Sequence, residues 1–169
     1  ELLSQLNKYG KTDLQFRKYL ATKAFELTSN YDSIIQKWFQ KSFAKNIELP
    51  NILKFDLKKT YSMRYGENPH QKAGMYVTEN TNQGIANAMQ IQGKDLSYNN
   101  INDADAAFDL VCEFNNPAVV IVKHANPCGV SEAGSINQAW ANAFKTDPTS
   151  SFGGVVAVNR IINESLAIE

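Results

Sequence analysis

The sequence predicts an α/β protein in which a mixed sheet carries helices on both faces. Three observations predict it. Residues 118–122, Ala-Val-Val-Ile-Val, form an apolar run dominated by β-branched side chains and without polar alternation, the pattern of a strand covered on both sides. Stripes of apolar residues at three-and-four spacing flank that run: Ala107, Leu110, Val111 and Phe114 before it, and Ile136, Ala139, Trp140, Ala143 and Phe144 after it. A second apolar strand, Val155-Val156-Ala157-Val158, follows two glycines.

The 169 residues have room for one domain or parts of two. Seventeen basic and seventeen acidic residues balance, so charge singles out neither nucleic acid nor an acidic membrane surface as the main partner. No apolar run reaches the ~20 residues of a membrane-spanning helix, and no signal peptide is visible. Two cysteines, Cys112 and Cys128, are too few for a disulfide framework and fit a reducing, cytoplasmic setting. The chain starts at Glu1 and stops inside an apparent element, which reads as a piece of a longer protein.

Residues 1–46 read as helical. Thr12 or Asp13 is placed to cap a helix carrying Phe16, Tyr19, Leu20, Ala24 and Leu27. Ser29-Asn30-Tyr31-Asp32 is expected to break it. A second helix should then carry Ile34, Ile35, Trp38, Phe39 and Phe43 on a core or interface face, and Lys37, Lys41 and Lys45 on the other. Composition shifts over 47–60, with a turn at Glu48-Leu49-Pro50-Asn51, so a boundary between two units is expected there. Residues 63–71 read as a polar loop, 73–77 as a short strand, 79–84 as a turn and 88–91 as another short strand. Asn102 or Asp103 is the expected cap of the following helix, and Ser135 of the next.

Chemistry concentrates in four places. Lys123-His124 closes the apolar strand, and Asn126-Pro127 should turn the chain after it. Ligands of open α/β sheets collect at carboxyl ends of strands, which makes this pair an acid–base candidate. A salt-bridged lysine and a satisfied core histidine are the plainer alternative. Arg64-Tyr65 opens the 64–71 loop: arginine's planar fork suits phosphate or carboxylate, and tyrosine stacks and donates. Here the plainer alternative is a solvated loop with Arg64 paired to a carboxylate. The polar stretch 96–103 feeds a helix start, an address that suits an anion or a tightly held turn. Gly153-Gly154 permits close backbone approach to a ligand, or a tight turn. His70, His124, Cys112 and Cys128 lack the spacing of a metal site. A zinc-deaminase pattern would need a glutamate at 126 and a cysteine at 131, where Asn126 and Ser131 stand. No phosphate-binding glycine loop or serine-hydrolase elbow occurs.

These four motifs, Arg64–Gln71, Leu96–Asp103, Val122–Gly129 and Ser151–Gly154, resemble in order and spacing the bacterial form of the bifunctional purine biosynthesis family that joins AICAR transformylase to IMP cyclohydrolase. The resemblance implies a domain plan: 1–46 as the last helices of an MGS-like cyclohydrolase domain, 47–60 as a linker, and 61–169 as the first half of a transformylase domain. That domain has a cytidine-deaminase-like fold without the metal. The implied reaction moves a formyl group from 10-formyltetrahydrofolate, a co-substrate, to the 5-amino group of AICAR, giving FAICAR; the cyclohydrolase then closes the ring to IMP. His124 is implied as the proton-transfer residue and Lys123 as its neighbouring stabiliser. Arg64, Tyr65 and Gly153 match positions that contact AICAR, and Asn100 lies at a position expected to face the same site. Family sites are built across a homodimer. The cyclohydrolase's catalytic parts are expected before Glu1, and most folate contacts after Glu169. The piece alone is therefore expected to catalyse neither step, and a non-catalytic nucleotide-binding or dimerisation module with the same fold is the competing reading.

Overall fold

The computed structural model describes residues 1–43, 52–78 and 84–169. The chain divides into two compact units, Glu1–Lys54 and Phe55–Glu169.

The first unit contains α1 (Leu2–Tyr9) and α2 (Leu14–Phe43). Gly10, in the left-handed region at φ 63°, ends α1 by donating its N–H to the Leu6 carbonyl. Asp13 caps α2, its carboxylate accepting the Phe16 N–H at 2.7 Å. The expected break at Ser29–Asp32 does not occur: α2 is one helix of 30 residues. Those four residues lower helix propensity only mildly, and no glycine or proline lies between 14 and 43. Phe16 is buried, whereas Tyr19, Leu20, Leu27, Ile34, Trp38, Phe39 and Phe43 are exposed. Trp38, Phe39 and Phe43 form a cluster of aromatic rings with centroids 5.0–5.6 Å apart. The expected turn at 48–51, and Lys45, lie outside the described residues.

The second unit opens with β1 (Lys58–Ser62) and β2 (Gly74–Val77), paired antiparallel around the polar loop 63–73. The turn expected over 79–84 falls mostly outside the described residues. Residues 88–91 are not a strand. A 3-10 turn at Ile85–Asn87 precedes them, and all four residues are exposed, so solvent rather than a strand partner meets their backbone.

The core is a three-stranded sheet between helices: α3 (Tyr98–Cys112), β3 (Ala118–Lys123), β4 (Asn126–Glu132), α4 (Ile136–Thr146), α5 (Pro148–Ser151) and β5 (Val155–Val158), followed by α6 (Glu164–Ile168). The strand order is β4-β3-β5. Residues 118–122 are wholly inaccessible. Their side chains alternate between two clusters. Ala118, Val120 and Val122 pack with Ala107 and Val111 of α3; Val119 and Ile121 pack with Ile136, Ala139 and Ala143 of α4. Helices thus cover both faces, as the apolar run demands, each fully buried Val or Ile side chain contributing roughly 1.5–3 kcal/mol.

Both strand pairings are antiparallel. β4 and β5 run in the same direction with β3 between them, joined by the α4–α5 crossover. The turn after β3 lies at His124-Ala125, two residues earlier than expected, and Asn126-Pro127 belongs to β4. Lys123 pairs with Asn126 across a two-residue hairpin whose central residues have φ 55° and 58°, the positive pair of a type I′ turn. Pro127 is tolerated because β4 is an outer strand. Ser97, not Asn102 or Asp103, caps α3: its hydroxyl accepts the Asn100 N–H, and the Asn100 side chain accepts the Ser97 N–H in return. Ser135 caps α4 as expected, accepting the Gln138 N–H.

Candidate functional site

The antiparallel course of neighbouring elements gathers the four motifs at one end of the sheet. α3 leads into β3 and lies across its face, so the start of α3 sits over the strand's carboxyl end. β5 begins at that same end, Val122 pairing with Val155.

The 64–71 loop is fastened to the start of α3 by three bonds. Arg64 N–H donates to the Leu96 carbonyl at 2.9 Å, Tyr98 N–H to the Tyr65 carbonyl at 3.0 Å, and the Asn99 amide to the Glu67 carbonyl at 3.1 Å. The loop is closed by Gly66 N–H on the Gln71 carbonyl at 2.9 Å. Gly66 is buried, and a Cβ there would come within 2.9 Å of the Gln71 Cβ, so a larger residue would displace the closure. The exposed Arg64 guanidinium donates to the Tyr65 hydroxyl at 3.0 Å and stands 4.7 Å from the Tyr65 ring centroid. Among the described residues no carboxylate lies within ion-pair distance of it. The fork is oriented by a neutral partner and keeps donors for an anion.

Lys123 extends from the end of β3 and donates through Nζ to the Phe152 carbonyl at 3.0 Å, beside Gly153. Gly153 has φ 76°, and no atom lies within 4 Å of where its Cβ would be, so its glycine is called for by backbone conformation, with open space above it. Gly154 is tighter, with the Val122 carbonyl 3.0 Å from a would-be Cβ. Asp147 ends α4 and caps α5. Hydrogen bonds from the Ser150 side chain and then its backbone N–H hold the Asp147 carboxyl below its ordinary range, and the positive charge of Lys123 adds to the effect.

His124 is exposed at the hairpin turn rather than set in the core. Two consecutive non-glycine residues in the left-handed region cost roughly 1–2 kcal/mol each, a strain that the surroundings must hold. Two bonds do so: Asn126 Nδ2 donates to the His124 carbonyl at 2.7 Å, and the Ala125 N–H donates to Asp103 Oδ1 at 2.7 Å. Asp103, read from sequence only as a helix cap, therefore ties α3 to the hairpin across 22 residues, a link with no local signal. Asn100 is half-buried, its Oδ1 accepting from Ser97 N and Oγ at 3.1 and 3.0 Å. Among the described residues no three His, Cys, Asp or Glu side chains converge as metal ligands would.

The fold and this end of the sheet define an α/β segment that presents a histidine and an arginine fork on turns braced by α3, with a lysine at the adjoining strand end. The chain belongs to the AICARFT/IMPCHase bienzyme family, whose sequence model matches residues 1–169. It is 51% identical over 160 residues to the bifunctional purine biosynthesis protein PurH of Rhodospirillum rubrum, covering 95% of this chain and 30% of that protein. To the PurH of Brucella ovis it is 50% identical over 173 residues, covering 100% of this chain and 32% of that protein. The chain thus spans about a third of the length of these relatives. No described helix is long and apolar enough to cross a membrane.

Proposed function

We propose that this chain is the AICAR-side portion of a cytoplasmic, homodimeric enzyme of purine biosynthesis that transfers a formyl group from 10-formyltetrahydrofolate to the 5-amino group of AICAR. Residues 1–46 are then the closing helices of the cyclohydrolase domain that completes IMP, 47–60 the linker, and 61–169 the first half of the transformylase domain. The observation that carries the reading is the fastening of all four family motifs to one end of the sheet, through α3 and through the Lys123–Phe152 bond.

The AICAR amine is a weak nucleophile because its lone pair delocalises into the ring. Its attack forms a C–N bond to the formyl carbon and pushes the carbonyl electrons onto oxygen. His124 takes the amine proton as that bond forms, help typically worth ~100- to 10,000-fold, and the proton is then available to the departing folate nitrogen. Lys123, at the strand end beside it, stabilises the oxyanion. The Arg64 fork, oriented by Tyr65, holds the nucleotide's anionic group, while the open backbone at Gly153 and the amide of Asn100 complete the cradle.

The test uses a chain of the relatives' full length that carries this segment. His124→Ala should reduce formyl transfer at least ~100-fold while AICAR still titrates calorimetrically with near-normal affinity. Arg64→Ala should raise the AICAR KM by about 10- to 100-fold, the worth of one charged hydrogen bond, with kcat largely kept. Near-normal turnover by His124→Ala, or an effect of Arg64→Ala confined to the folate KM, would overturn the assignment.

A further inference from the structure

We infer that Asp103 is a positioning residue for His124, acting with Asn126 to lock the central peptide of the β3–β4 turn. The peptide group between His124 and Ala125 has two polar atoms, and both are held by side chains other than those of the turn's central pair. Its carbonyl accepts from Asn126 Nδ2 at 2.7 Å, and its N–H donates to Asp103 Oδ1 at 2.7 Å. This peptide is the one that a two-residue turn can flip. Flipping changes ψ of the first central residue and φ of the second, so it redirects the backbone on which the His124 side chain stands. A type I′ turn of this kind ordinarily uses Asn-Gly or another glycine-containing pair. Here His124 and Ala125 adopt φ 55° and 58° without glycine's freedom.

The two holds come from different places. Asn126 belongs to the hairpin itself and moves with it. Asp103 is half-buried on α3, in the helix whose cap and first turn also anchor the 64–67 loop through Leu96, Tyr98 and Asn99. Asp103 therefore sets the hairpin in register with the arginine-bearing loop, fixing the distance between the proton-transfer group and the nucleotide's anchor. An oriented acceptor is what the bond requires; a formal negative charge is not.

This inference rests on the role of His124 proposed above, and two readouts separate them. In the 169-residue chain, amide hydrogen exchange at Ala125 should speed up at least tenfold in Asp103→Ala and stay near normal in Asp103→Asn, which keeps an oxygen acceptor. In a chain of the relatives' full length, Asp103→Ala should lower kcat for formyl transfer about 10- to 100-fold with the AICAR KM within about twofold, and Asp103→Asn should restore most of it. Asn126→Ala, which removes the other hold and leaves α3 untouched, should lower kcat in the same direction if Asp103→Ala does not fold. Unchanged kcat in Asp103→Ala would overturn the inference, as would an asparagine variant no better than alanine or unchanged exchange at Ala125. Loss of the His124 role itself would show separately, as normal turnover in His124→Ala.

Discussion

His124 stands on a strained turn, and the strain is borne by neighbours that carry no catalytic group. The same division of labour holds at Asp147, which faces Lys123 through charge and braces the Gly153 segment by capping α5 at 2.9 Å. Its carboxyl titrates below the ordinary aspartate value of 3.8 in the folded protein. The folded state thus binds this proton less readily than the unfolded state. The stabilisation is complete above the unfolded value and is lost as pH falls through the folded one. Asp147→Asn keeps the cap and removes the charge, so its stability should fall less steeply on acidification below about pH 4 than that of the unaltered chain. Denaturant midpoints measured down that range test this; parallel slopes would mean that the carboxyl contributes nothing there.

At the scale of elements, close contact between α4 and β4 depends on small residues. Ala139 and Ala143 are wholly buried, and a Cβ on Gly129 would collide with the Ala143 carbonyl oxygen while approaching Ile121 Cδ1 at 3.3 Å. The obstacle is backbone, which cannot swing aside as a side-chain tip can. Gly129→Ala should therefore destabilise the second unit by about 1–3 kcal/mol, read as a lower denaturant midpoint. An unchanged midpoint would show that the helix can lift away at no cost. α3 has a second duty as a brace: its start holds the 64–67 loop and Asp103 holds the β3–β4 turn, so one helix ties two of the motifs together.

At the scale of the molecule, the two units differ in what they bury. Among the described residues, Glu1–Lys54 contains one buried hydrophobic residue, Phe16, whereas Phe55–Glu169 contains both core clusters. Each unit has one of the two tryptophans, Trp38 in the first and Trp140 in the second. Urea unfolding followed by tryptophan fluorescence in Trp140→Phe reports the first unit, and in Trp38→Phe the second. The first should unfold at a lower midpoint and with a smaller slope, since the slope scales with the surface exposed. Coincident curves would show the 169 residues unfolding as one.

Much was legible along the chain because it depends on local pattern. Side-chain period and β-branching marked β3 and its two covering helices, and Ser135 announced α4. The Lys123-His124 pair at a strand end and Arg64-Tyr65 in a polar loop stood out by residue type and spacing. The family was recognisable from four short motifs for the same reason. What the pattern did not display was decided by other balances, most of them non-local. Ser29–Asp32 stayed helical because a weak propensity penalty does not break a helix without glycine or proline. Residues 88–91 made no strand because the fold leaves them exposed, with no strand beside them among the described residues. The hairpin turned at His124-Ala125, against the preference of both residues for negative φ, because Asp103 and Asn126 hold that peptide from either side. A bond between residues 22 positions apart leaves no periodicity for a sequence to display; it exists only once α3 has folded back across β3.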